Sequence, residues 1–240
     1  MAENREPQSP KDVKRILCLA NSRKLSGRCI AGREIVNGEP RAWVRPVSDR
    51  EHQEVSWEER HYENGSDPAV LDVIDVPFIE ARPHEFQQEN WLLDSRFYWR
   101  KERRLNWSDL QAFVESDGPL WVNGQSSGNG LNDRIELYLA NRLRSSLRLI
   151  RVDSLMIEVS RPGEAFGNRK RRVQAQFEHA ETSYWLWVTD PVYEHRYKAL
   201  PDGRHDLGEA CLTISLGEPY GGYAYKLIAA IIERAQTEAR

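Results

Sequence analysis

Lys14-Arg-Ile16-Leu-Cys-Leu-Ala-Asn21-Ser22-Arg23-Lys24-Leu-Ser26-Gly27-Arg28-Cys-Ile-Ala-Gly-Arg-Glu-Ile-Val36-Asn37-Gly38-Glu-Pro40-Arg-Ala-Trp43-Val-Arg45-Pro46-Val47 contains β-leaning runs over 14–20, 28–36 and 41–47. A Ser/Gly loop divides the first two, and Asn37-Gly38 divides the second pair. Asn-Gly between such runs is a strong hairpin signal because both residues tolerate positive φ. The N-terminal third therefore reads as a three-strand meander.

Strand signals recur along the rest of the chain. In 70–81, Val70, Leu71, Val73, Ile74, Val76 and Phe78 predict a strand buried on much of both faces, with Pro77 marking an edge or bend. Val173, Ala175 and Phe177 alternate with Gln174 and Gln176, the period of a half-buried strand. Tyr184, Trp185 and Trp187 follow in 184–188, and Thr189-Asp190-Pro191 stops that run. Residues 146–159 predict strand with a hairpin break near Asp153-Ser154, and 207–216 predict another strand. Residues 223–232 read as strand first, then a short helix after about Ala230, since Leu227, Ile228, Ile231, Ile232 and Ala235 also fit a helical stripe.

Helix signals are few. A short one is expected within 56–63, and another near Trp107, capped by Ser108 or Asp109. Residues 96–104 read as a basic aromatic linker, and the Gly/Asn/Ser-rich 123–133 as a loop between halves. A doubly wound fold would alternate helices with strands, so a mainly β chain with minor α, built as two small barrels or sandwiches, fits better.

The 240 residues, 40% hydrophobic and 30% charged, describe a globular chain of one large or two small domains. The polar 1–14 segment reads as an arm without the apolar core of a secretory signal. The longest apolar stretch, 227–232, is too short to span a bilayer. Net charge is −3, so any attraction to nucleic acid has to come from local positive charge. Cys18, Cys29 and Cys211 have no paired spacing and read as reduced core residues of a cytoplasmic protein.

Residues 17–32 (LCLANSRKLSGRCIAG), 43–48 (WVRPVS), 71–77, 84–91 (HEFQQENW), 120–134, 184–191 and 213–232 resemble, in this order, the dual OB-containing domain family of bacterial proteins. The resemblance implies two OB-like barrels packed together and a nucleic-acid-related role in bacterial conflict systems. It brings no catalytic residues with it. The expected organisation is an arm over 1–14, a first barrel with a helical insertion over 15–122, a linker over 123–133 and a second barrel over 134–240.

Two groups of residues carry binding chemistry. Arg169, Lys170, Arg171 and Arg172 run directly into the 173–177 strand; a hairpin with 184–188 would set these cations beside Trp185 and Trp187, or leave a solvated basic turn over buried tryptophans. Asn21, Ser22, Lys24 and Arg28 surround a Ser-Gly turn and, with Trp43, Arg45, Tyr225 and Lys226, form a second candidate groove or a hydrogen-bonded tie between the termini. Gln88 and Asn90 could meet backbone or a base edge. His84 has no second His at i+4 and no thiolate pair, so no metal or cofactor is expected there. Neither a G-x-S-x-G elbow nor a phosphate-binding Gly-Lys loop is present.

The leading expectation is a non-enzymatic cytoplasmic module that binds single-stranded nucleic acid or a nucleotide-like ligand away from any membrane. One alternative is a hydrolase of nucleic acid or nucleotides, with His84 and a carboxylate such as Glu89 as acid and base. A protein-interaction component docking through an exposed Trp face is the other.

Overall fold

Paired strands close the first half into a ring. The computed structural model describes residues 9–115 and 118–234. β1 (Asp12–Lys24), β2 (Gly27–Val36) and β3 (Glu39–Val47) form the meander. Asn37 at φ 55° and Gly38 at φ 83° make the β2–β3 turn, the left-handed geometry that an Asn-Gly pair supplies. After the single turn α1 (Trp57–Arg60) come β4 (Asp72–Ala81) and β5 (Asn90–Leu93). β4 pairs antiparallel with both β1 and β5, and β5 pairs parallel with β3, so the ring β1-β2-β3-β5-β4 is closed. Gly32 permits a close crossing: a Cβ there would lie 2.2 Å from the Leu17 carbonyl oxygen, where the β1 register slips between Cys18 and Ala20. β6 (Arg100–Arg104) adds to β4 outside the ring, and α2 (Trp107–Leu110) follows.

The second half repeats this plan. β7 (Arg134–Glu136) and α3 (Leu137–Ala140) precede β8 (Leu147–Ser160), β9 (Arg172–His179) and β10 (Thr182–Val188). Then come α4 (Pro191–Lys198), β11 (Gly203–Leu216) and β12 (Tyr223–Glu233). The ring order is β8-β9-β10-β12-β11, closed by antiparallel β8–β11 and by the parallel pairs Trp187–Leu227 and Val188–Ile228. Counted from one in each half, both rings run first-second-third-fifth-fourth, with the third and fifth strands parallel. This is the five-stranded Greek-key barrel of OB folds. The chain repeats a topology without repeating residues.

Alternation on β1 joins the two barrels. Ile16 and Cys18 point into the first barrel with Ile30, Val44, Ile74 and Phe78. Leu17 and Leu19 point outward, into a core shared with Leu147, Leu149, Cys211, Ala229 and Ile232 of the second barrel. Ile150, Leu155, Leu186, Leu212 and Ile228 fill the second barrel itself. Burying an aliphatic side chain of this size contributes roughly 1.5–3 kcal/mol, so the shared core binds the barrels firmly. Across the junction the Arg23 N–H donates to the Thr189 carbonyl at 2.9 Å, and the Thr213 hydroxyl donates to the Leu19 carbonyl at 2.6 Å. Burial pushes two thiols up, that of Cys211 in the shared core to about 12 and that of Cys18 inside the first barrel further.

Several local expectations are corrected. β8 runs unbroken through Asp153-Ser154, because inward residues such as Leu155 and Ile157 keep it on the barrel wall. β12 continues past Ala230 to Glu233, held by its pairing with β11; residues 235–240, Ala235 of the helical stripe among them, lie outside the described residues. Arg100–Arg104, within the expected linker, is a strand on β4. The cap of α2 is Asn106, whose side chain accepts from the Asp109 N–H at 3.0 Å. Within the expected first-barrel span, Leu120 packs in the second barrel's core. No helix among the described residues is long and apolar enough to cross a membrane, a statement that does not extend to strands.

Candidate nucleic-acid interface

β9 and β10 form an antiparallel hairpin whose inward residues, Tyr184, Leu186 and Val188, fill the barrel. Trp185 and Trp187 alternate outward and are half-buried. The Arg172 guanidinium lies 6.0 Å from the Trp187 ring, within cation–π reach. Between β8 and β9 a loop carries Phe166, 91% exposed, and leads into the basic run. Phe166, Asn168, Arg172, Trp187, Leu227 and Arg23 are among the walls of a 610 Å³ open hollow. Arg169, Lys170 and Arg172 form no ion pair among the described residues. Arg171 is committed elsewhere: it pairs with Asp202 at 2.7 Å and donates to the Lys198 and Leu200 carbonyls.

The 123–133 segment crosses this face and divides it. Leu131 exchanges backbone hydrogen bonds with Trp185 at 3.1 and 3.0 Å, and the Gln174 amide donates to the Asn129 carbonyl at 2.6 Å. Beyond the crossing, Trp185 borders a 560 Å³ hollow that also holds Asp153 and Glu178. Unpaired acidic walls disfavour phosphate there, whereas in the hollow at Trp187 the one carboxylate, Glu194, is paired with Arg23 and Lys198, and Arg172 has no ion-pair partner among the described residues.

Lys226 fastens the segment. Fully buried on β12, its Nζ donates to the Val122 carbonyl at 2.9 Å and to Asn123 Oδ1 at 2.7 Å. Desolvation pushes its ammonium down to about 7, opposed by the Asp133 charge. Asp133 in turn accepts from the Ser127 N–H at 2.7 Å and the Ser127 hydroxyl at 2.5 Å.

A smaller hollow of 130 Å³ lies between the barrels, lined by Ser22, Lys24, Arg45, Gln87 and Ser215 among others. Arg45, 3% exposed, donates through Nη2 to Ser146 Oγ at 2.8 Å and Ser215 Oγ at 3.3 Å. The same nitrogen lies 3.1 Å from Glu89, and Arg45 Nε has no partner. At the mouth Lys24 pairs with Glu218 at 2.7 Å, joining the first barrel to the second.

The structure thus gathers Ser22, Lys24 and Arg45 in one hollow, and Arg172 and Trp187 in its neighbour. Other candidates lie apart from both linings. Trp43 is buried in the shared core, its indole N–H donating to Glu115 at 2.8 Å. Asn90 is fully buried, with its amide on Gln53 and Gln87; Gln88 is exposed and donates to the Glu85 carbonyl at 2.5 Å. Asn21 donates to the Pro68 carbonyl at 2.7 Å. Arg28 is half-buried, its charge counteracting the burial that raises the Asp190 carboxyl. Tyr225 is half-buried on β12, opposite Arg134. His84 is exposed in a bridge with Gln87, while Glu89 is buried against Arg45 and the Ser146 hydroxyl. No group of three His, Cys, Asp or Glu side chains among the described residues is placed to hold a metal ion.

Sequence reasoning missed Arg23, Phe166, Asn168 and Leu227. Phe166 carried a readable signal: an aromatic residue between Gly163 and Gly167, just ahead of a basic run, has no core to join. Comparison with curated proteins and with solved structures finds no match. The family model of the dual OB-containing domain matches residues 14–231, nearly the whole chain. With two barrels of OB topology in tandem, the chain belongs to the dual OB-containing domain family.

Proposed function

We propose that this protein binds single-stranded nucleic acid across the β9–β10 face of its second barrel. OB folds bind oligonucleotides on the face of their second and third strands and on the adjoining loops, and β9 and β10 are those strands here. The observation that carries the reading is one hollow with Trp187 and Arg172 on its wall and Phe166 at its rim, entered from a basic run in which Arg169 and Lys170, like Arg172, meet no internal carboxylate. Aromatic faces stack any base, and unpaired cations follow the backbone, so little sequence preference is expected. A net charge of −3 is compatible with this, because the positive charge is local.

Fluorescence anisotropy with a labelled oligonucleotide over a salt series tests the proposal. Binding is expected to weaken steeply with salt, and the triple variant Arg169→Ala, Lys170→Ala, Arg172→Ala to lower the salt slope by about two, at roughly 0.7 per lost phosphate contact. A folded wild-type protein that leaves the oligonucleotide free at low salt defeats the proposal.

A further inference from the structure

We infer that a second copy of this chain docks on the β9–β10 face, each copy seating its β8–β9 loop in the acidic hollow of the other. β9 carries charge of opposite sign at the two ends of that face. Its outward residues run Arg172, Gln174, Gln176 and Glu178, by the same alternation that turns Val173, Ala175 and Phe177 into the barrel. Arg172 and Glu178 stand roughly 20 Å apart along the strand, at about 3.4 Å per residue. The 123–133 segment crosses between them, where the Gln174 amide meets the Asn129 carbonyl. On one side of the crossing are Arg172, Trp187 and the loop that carries Phe166, Arg169 and Lys170. On the other are Trp185, Asp153 and Glu178, with Glu181 exposed at the β9–β10 turn. A face that is basic at one end and acidic at the other is complementary to itself. When two copies meet with their β9 strands antiparallel, a two-fold axis lying across the strands at the crossing sets each basic end on its partner's acidic end.

Neither end is satisfied within its own chain. Phe166 is 91% exposed, and the crossing separates its loop from the acidic hollow of the same molecule. Asp153 and Glu178, like Arg169 and Lys170, form no ion pair among the described residues; Glu178 accepts a hydrogen bond from the Ser183 hydroxyl at 3.4 Å. The 560 Å³ hollow is walled by Leu131, Phe177, Tyr184 and Trp185 as well as by the two acids, and none of its lining residues is a lysine or arginine. It therefore offers apolar walls to a phenyl ring and carboxylates to the cations that follow Phe166 three and four positions on. Glu164 is the one acid in 161–171, outnumbered by the unpaired cations of its loop. At the crossing, Gly128 and Gly130 have no side chains to hold two copies apart, and Leu131, 43% exposed, adds an apolar contact beside the axis. A second copy thus meets at one end what this chain exposes at the other, and the dimer covers the hollow at Trp187.

Charge reversal tests this without any nucleic acid. In sedimentation velocity at low salt the wild-type chain is expected to form dimers as its concentration rises, and added salt to separate them. One variant, Asp153→Lys with Glu178→Lys, makes the hollow basic; another, Arg169→Glu with Lys170→Glu, makes the loop acidic. Each alone is expected to dimerise about tenfold or more weakly. An equimolar mixture of the two is expected to recover the dimer, because both of its contacts then join opposite charges. Phe166→Ser is expected to weaken wild-type association by about tenfold as well. A wild-type chain that stays monomeric overturns the inference, as does a dimer that both reversals leave intact or a mixture that stays monomeric. Each of those results leaves the nucleic-acid proposal standing, and a dimer that binds no oligonucleotide leaves this inference standing.

Discussion

The two barrels share one topology and use it for opposite ends. Counted from the first parallel pair in each ring, Trp43 and Arg45 of β3 stand where Trp185 and Trp187 stand on β10. In the first barrel that face is sealed. Trp43 is 6% exposed and bonded to Glu115, and Arg45 is pinned by Glu89, Ser146 and Ser215. In the second barrel the same positions border open hollows, Trp187 the one beneath an exposed Phe166 and Trp185 the one beyond the 123–133 segment. Strand order thus decides where an OB face lies, while the surroundings decide whether it is available.

The sharpest way to break this comparison is to truncate both tryptophans. Trp43→Ala is expected to cost about 3–5 kcal/mol of stability, as other buried Trp truncations do, read by urea denaturation. Trp187→Ala is expected to cost less stability but about 1–3 kcal/mol of oligonucleotide affinity, the worth of one stacked base. Equal stability losses, or unchanged affinity for Trp187→Ala, would erase the distinction between sealed and open faces.

Lys226 sharpens the comparison, because it fastens the segment that divides the open face. Burial pushes its ammonium down to about 7 in the folded chain from an ordinary 10.5, so between those pH values the unfolded chain binds more protons. Its contribution to stability therefore rises with pH across that window, by up to about 1.4 kcal/mol per pH unit. Lys226→Met should flatten the rise in denaturation curves taken from pH 7 to 10; parallel profiles for variant and wild type would show that the lysine titrates as if solvated. The smallest effect is expected at the mouth of the junction. Glu218→Ala should cost under about 1 kcal/mol, as exposed ion pairs do. A melting shift worth several kcal/mol would show that this clasp, rather than the shared core, holds the barrels together.

Much of the fold was legible in the sequence, and the illegible parts have identifiable causes. The Asn37-Gly38 turn and the alternating 173–177 run give local signals that survive folding. The β9–β10 turn gave none, because Ala180 and Glu181, at φ 47° and 57°, are neither Gly nor Asn. β5 is four residues long and exists through its pairing with β3 and β4, so nothing local marks it. The last strand keeps its extended form against a helical stripe because β11 pairs along it. Within the site, the neighbourhood of the basic run and Trp187 followed from hairpin logic. The choice among the cations did not: Arg171 turns to Asp202, 31 positions away, while Arg172 stays free.

The sequence by itself determined a mainly β chain of two similar halves, with basic and aromatic residues concentrated ahead of one hairpin. Periodicity and turn chemistry act between near neighbours, so they can be read along the chain. Tertiary structure alone decided which aromatic face is covered, which cations are neutralised and where a hollow opens between the barrels. Those outcomes depend on contacts such as Lys24 with Glu218 and Arg45 with Ser215, between residues more than a hundred positions apart. Charge pairing and burial are set by what lies close in space, and only the closed and docked barrels bring those partners together.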